Sequence, residues 1–197
     1  TVDWEVELAA VIGTEAYQVE VADAWSHVAG LAVSQDLSER TLQMTGAVPQ
    51  FSLAKSYPGF SPVGPWLVTT DEPGDRDDIE LGCSVNGTVV QSGSTGSLIF
   101  SIPEIVSELS AVLPLLPGDL IFTGTPSGVG MARNPPVYLK SGDVLVSWAD
   151  QLGELPALDQ HGVGAGAALA AGEAEAGRRV ALGVEVDQQH GLAGGGD

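Results

Sequence analysis

Apolar residues over the first 155 positions come in short runs, with Gly, Pro, Asn and Asp recurring between them. Such runs are too brief for long helices, and closely spaced turn residues between them mark many short strands. The expected fold is therefore mainly β with few helices. Trp4–Gly13 alternates at first, with Trp4, Val6 and Leu8 set against Glu5 and Glu7, and then turns wholly apolar. Residues 17–26 read as a second strand running into a short helix. Leu81–Val85 and Thr88–Gln91 flank Asn86-Gly87, the dipeptide that best suits a two-residue hairpin turn. Pro117-Gly118 leads into a buried strand, Asp119–Thr123; Gly124–Gly130 is a glycine-rich loop; Ser141-Gly142 turns into a final strand, Asp143–Trp148. One helix stands out. Ser101-Ile102-Pro103-Glu104 has capping-box spacing with proline in the first turn, then Ile105, Val106, Leu109, Val112 and Leu113 up to the stop at Pro114.

Composition divides the chain. Residues 1–155 contain all 4 Trp, 3 Tyr and 4 Phe and are long enough for one domain with a core. Residues 156–197 are rich in Ala and Gly and have no aromatic residue. They read as a tail, disordered or not a native continuation of the domain, as a shifted reading frame would produce. The chain starts at Thr1 and shows no signal-peptide pattern, so a piece of a longer protein is expected. No apolar run is long enough to cross a membrane. The net charge of −19 argues against nucleic acid and anionic membranes as partners. A single cysteine, Cys83, rules out an internal disulfide and fits the reducing cytoplasm, the expected location.

Glu5 and Glu7 are two apart, so on a strand both carboxylates point to one face. A third carboxylate would complete a set of hard oxygen ligands of the kind Mg²⁺ or Mn²⁺ prefers. Asp36, inside Ser34-Gln35-Asp36-Leu37-Ser38-Glu39-Arg40, is available. Taken singly, each residue has a plainer reading. The two glutamates suit the wet face of an amphipathic strand, Asp36 a turn or helix cap, Arg40 and Gln43 a surface pair, and Lys55 a solvated cation.

The motifs converge when taken in order. Asp3-Trp4-Glu5-Val6-Glu7-Leu8, Asp36-Leu37-Ser38-Glu39-Arg40 with Gln43, and Ala54-Lys55-Ser56 come first. Gly64-Pro65-Trp66-Leu67-Val68-Thr69, Val85-Asn86-Gly87, Pro117-Gly118-Asp119 through Gly124-Thr125-Pro126, and Gly128-Val129-Gly130 follow. In this order and spacing the segment 1–155 resembles the catalytic domain of the fumarylacetoacetate hydrolase family. It departs from the family at Gln35, Thr41 and Ala54, where Asn, Asp and Gly are common.

The resemblance implies a mixed β-roll or barrel-like sandwich, usually dimeric, so a homodimer is expected. It implies a metal centre of Glu5, Glu7 and Asp36 holding Mg²⁺ or Mn²⁺. Arg40, Gln43 and Thr125 would bind a small 2-oxo acid substrate, and Lys55 would act in catalysis. The implied activity is hydrolysis of carbon–carbon bonds in 2-oxo or 1,3-dicarbonyl acids such as acylpyruvates or fumarylpyruvate. Isomerase, tautomerase, decarboxylase or hydratase chemistry on related acids is the alternative. A catalytically inactive metal-binding or dimerising fragment is a further reading of another class. The family's water-activating His–Glu pair precedes the metal motif, upstream of this sequence. His27, His161 and His190 receive no catalytic role.

Overall fold

The computed structural model describes residues 1–157 and 179–181. In chain order its elements are β1 (Val2–Asp3), β2 (Val6–Ile12), β3 (Val28–Gln35), β4 (Ser38–Glu39) and α1 (Arg40–Gln43). Then come β5 (Val63–Thr69), β6 (Glu80–Val85), β7 (Thr88–Ser94), α2 (Ile102–Val112), β8 (Leu120–Phe122), β9 (Leu145–Ala149), β10 (Gly153–Ala157) and β11 (Arg179–Ala181), with four short 3₁₀ helices between them. The strands form one sheet in the order β11-β5-β3-β2-β8, a second in the order β10-β9-β6-β7, and a small β1-β4 ladder. The mainly β expectation with few helices is met. Among the described residues no helix is long and apolar enough to cross a membrane.

The core lies between the two sheets. Trp4, Val6, Leu8, Ala10 and Ile12 enter it from one side of the β2 segment, and Leu31, Val33 and Val68 join them from β3 and β5. Leu81, Cys83, Leu145 and Leu155 come from the second sheet. Alternation then turns Glu7, Ala9 and Val11 to the opposite face of β2, and all seven β2 residues are buried. Asn86 and Gly87 both have positive φ, 51° and 77°, as the β6–β7 hairpin turn requires.

Several expectations need correction. Residues 17–26 form no strand. Ala16 makes a lone bridge to Leu115, Gln18 then adopts a φ of 54° that ends the extension, and Val21–His27 is a 3₁₀ helix. The buried strand expected at Asp119–Thr123 is β8, Leu120–Phe122, a half-buried edge strand in which Leu120 faces out while Ile121 faces in. In α2 the capping box forms as expected. The buried face, however, is Ile102, Val106 and Ser110, while Leu109, Val112 and Leu113 are exposed. The last strand of the domain is β10, which pairs with β9 and carries the sheet past Leu155 to Ala157. Arg179–Ala181, in the expected tail, pair with Val68–Trp66 of β5. The rest of that tail lies outside the described residues.

Candidate functional site

The β2–β3 register explains how carboxylates distant in sequence meet. Val6 stands opposite Gln35 and Glu7 opposite Ser34. The next step outward sets Glu5 opposite Asp36, and the Asp36 N–H donates to the Glu5 carbonyl at 2.9 Å. Glu5, Glu7 and Asp36 each offer an oxygen within 4.8 Å of the others.

Two cations are built into the cluster. Lys55, on a 3₁₀ turn of Leu53–Lys55, donates from Nζ to Glu5 Oε2 at 2.6 Å and to Asp36 Oδ2 at 2.5 Å. Burial alone would lower its pKa, but the hydrogen bonds to Asp36 and Glu5 outweigh burial and hold it above the ordinary lysine value. Arg40 opens α1, a single turn capped by the Glu39 side chain, which accepts from the Thr41 and Leu42 N–H groups. Its guanidinium donates to Asp3 Oδ2 at 2.9 Å, Gln43 Oε1 at 2.9 Å and Glu5 Oε1 at 2.6 Å. That fork is filled by protein, so in this structure Arg40 fixes the position of Glu5.

Glu7 lacks such a partner. Its carboxylate accepts the Gly124 N–H at 2.7 Å and, among the described residues, makes no ion pair. Burial, reinforced by the charges of Asp36 and Glu5, pushes its pKa up to about 8. A buried acid held beside two other carboxylates in this way has room in its electrostatics for one more cation.

Asp3, Gln35 and Gln91 also support the site; Asp3 and Gln35 lie beside Glu5 and Asp36 in the motifs without a role being legible there, and nothing in the sequence marks Gln91. Asp3 is fully buried. Its oxygens accept from the backbone N–H groups of Trp4, Gly130 and Met131 as well as from Arg40. Gly130 must be glycine to come so close, since a Cβ there would lie 1.8 Å from the Val137 carbonyl oxygen. The Glu5 N–H donates to Gln35 Oε1 and the Val6 N–H to Gln91 Oε1. The two glutamine side chains thus satisfy the backbone where β2 begins.

The remaining expected residues fall as follows. The Gln43 Nε2 is the one buried side-chain nitrogen or oxygen among the described residues that has no hydrogen-bond partner. The Thr125 hydroxyl donates to the Val6 carbonyl and accepts from Gln91 Nε2, so it anchors the loop to β2. His27 lies at the far end of β3 from Asp36, with Nδ1 2.8 Å from the Glu15 carbonyl. His161 and His190 lie outside the described residues. Cys83 is buried, and burial pushes its thiol up to about 12, which excludes a thiolate nucleophile at neutral pH.

Residues 1–157 match the family model described as fumarylacetoacetate (FAA) hydrolase C-terminal. The chain belongs to the fumarylacetoacetate hydrolase family. Oxaloacetate tautomerase FAHD2A, mitochondrial, from Homo sapiens is 45% identical over 152 residues, 77% of this chain and 48% of that protein. This chain therefore spans about half the length of that relative. The structure of a fumarylacetoacetate hydrolase from Exiguobacterium antarcticum is 40% identical with a TM-score of 0.75, over 79% of this chain and 55% of the other. A fumarylpyruvate hydrolase from Pseudomonas aeruginosa, in complex with Mn²⁺ and pyruvate, is 34% identical with a TM-score of 0.71, over 79% and 64%. Members of this family are enzymes, and their named activities include hydrolysis and tautomerisation of small molecules.

Proposed function

We propose that Glu5, Glu7 and Asp36 hold a Mg²⁺ or Mn²⁺ ion, and that the enzyme to which this chain belongs acts on 2-oxo acids bound against it. The observation that carries this reading is the convergence of three carboxylates, one of them buried without a cation of its own. The donors are all hard oxygens, which suit these ions. The Mn²⁺ and pyruvate in the fumarylpyruvate hydrolase of similar fold support the reading.

A bound divalent ion supplies Lewis acidity, drawing electron density from the carboxylate and keto oxygens of a 2-oxo acid so that a neighbouring C–H or C–C bond breaks more readily. The chain's own residues do the rest. Arg40 keeps Glu5 oriented. The unpartnered Nε2 of Gln43 is a free donor for a substrate oxygen. Lys55 would offer its ammonium to negative charge that develops on the substrate. In the enol-to-keto direction it would give carbon a proton and regain one from solvent as the enol hydroxyl releases its own, the reverse direction retracing the same steps. Thr125 acts by holding the Gly124 loop against β2. These groups complete a keto–enol exchange. Carbon–carbon hydrolysis also needs a base to activate water, and among the described residues no histidine neighbours the trio.

Two outcomes test this. With Mn²⁺, the chain should accelerate keto–enol exchange of a 2-oxo acid such as oxaloacetate, followed by the enol absorbance, and EDTA should abolish the effect. Cleavage of an acylpyruvate should stay low. Exchange unaffected by EDTA would count against the reading.

Ion affinity should also follow the Glu7 proton. Below about pH 8 the ion must displace that proton, so apparent affinity should climb about tenfold per pH unit and level off above it. Calorimetry in buffers of different ionisation enthalpy should detect the proton released near neutral pH. The metal-free fold follows the opposite trend. Folded Glu7 holds its proton more tightly than the unfolded chain does. Its contribution to stability is complete below the ordinary value of 4.5 and is lost as pH rises through about 8.

A further inference from the structure

Lys55 lies against the proposed ion site. Its Nζ reaches Glu5 Oε2 at 2.6 Å and Asp36 Oδ2 at 2.5 Å, two of the three carboxylates assigned to the ion. An ion that used either of those two oxygens, with ligand bonds of about 2.1 Å, would sit within about 4.7 Å of the ammonium nitrogen and compete with it for them. Arg40 cannot yield, because Asp3 and Gln43 also hold it and its side chain is 6% exposed. Lys55 can. Among the described residues its ammonium is bonded to Glu5 and Asp36 alone, and its side chain is three times as exposed, at 18%.

We propose that Lys55 is the resident counter-ion of the metal-free site and that it releases both carboxylates when the ion is taken up. Metal loading then hands a free ammonium to the anionic substrate. Ion and 2-oxo acid consequently bind with positive coupling that runs through this one side chain. The inference rests on the metal assignment proposed above and adds the order in which the site is filled.

Only two lysines occur in the chain, Lys55 and Lys140, and Lys140 is exposed, so it serves as an internal reference. Limited acetylation, quantified by mass spectrometry of peptides, should show Lys55 protected relative to Lys140 in EDTA. Mn²⁺ should raise Lys55 labelling several-fold, and Mn²⁺ with oxalate should lower it again. By calorimetry Lys55→Met should bind Mn²⁺ about tenfold more tightly than wild type, having lost the competitor, and should lose the tightening by oxalate. Mn²⁺ uptake that leaves Lys55 labelling unchanged, or a Lys55→Met variant of equal or weaker affinity, would overturn the coupling and leave the metal site standing. No Mn²⁺ uptake at all by wild type would overturn both.

Discussion

Glu7→Gln should cost about 100-fold in Mn²⁺ affinity, roughly 2.7 kcal/mol, while leaving the metal-free protein as stable as wild type or more so. The two effects have one cause. Burial and the neighbouring charges of Asp36 and Glu5 keep the folded Glu7 carboxyl protonated to about pH 8, so a neutral amide of the same shape resembles its metal-free state. The amide would keep an oxygen for the Gly124 N–H. What the variant loses is the negative charge that an ion requires. Urea unfolding of both proteins at pH 7 in EDTA, followed by Mn²⁺ titration, separates the effects. A surface glutamate on a wet strand face would change neither.

Arg40→Met should give the largest loss of stability, about 3–5 kcal/mol. The guanidinium is the shared partner of Asp3, Glu5 and Gln43, and Asp3 is fully buried. Its removal leaves a buried carboxylate with backbone N–H groups but no counter-charge, beside a second carboxylate it had held in place. For a domain of this size the loss corresponds to a melting temperature lower by about 6–20 °C. Arg40→Lys should fall between, since an ammonium restores charge but cannot bridge all three groups. A denaturation midpoint equal to wild type in Arg40→Met would mean that the network carries no net stability.

The same-face spacing of Glu5 and Glu7 is legible in the sequence, because strand alternation is a local property. Asp36 is reached there only by resemblance. Its physical placement depends on Val6 meeting Gln35 across two strands, a register that no local pattern encodes. Asp3, Gln35 and Gln91 escape sequence reading for a related reason. They look like ordinary strand polar residues, and only the tertiary fold shows Gln35 and Gln91 satisfying the N–H groups of Glu5 and Val6, and Asp3 accepting from Gly130, Met131 and Arg40. Arg40 is expected from the resemblance to bind substrate; that it also holds Asp3, Glu5 and Gln43 is visible only in the fold. In α2, cap and periodicity identify the helix, yet the buried face turns on its packing against the 3₁₀ helix at Val21–His27. Periodicity alone therefore places Leu109 and Val112 on the wrong side. Tyr17, Val19 and Val21 alternate like a strand, but the positive φ of Gln18 breaks it.

The most direct measurement is diffraction at the manganese edge from crystals of this protein grown with Mn²⁺ and pyruvate. The account predicts one anomalous peak bonded to Glu5, Glu7 and Asp36 at about 2.1 Å, with pyruvate oxygens completing the coordination. A peak away from these carboxylates, or none while Lys55 still spans Glu5 and Asp36, would contradict it.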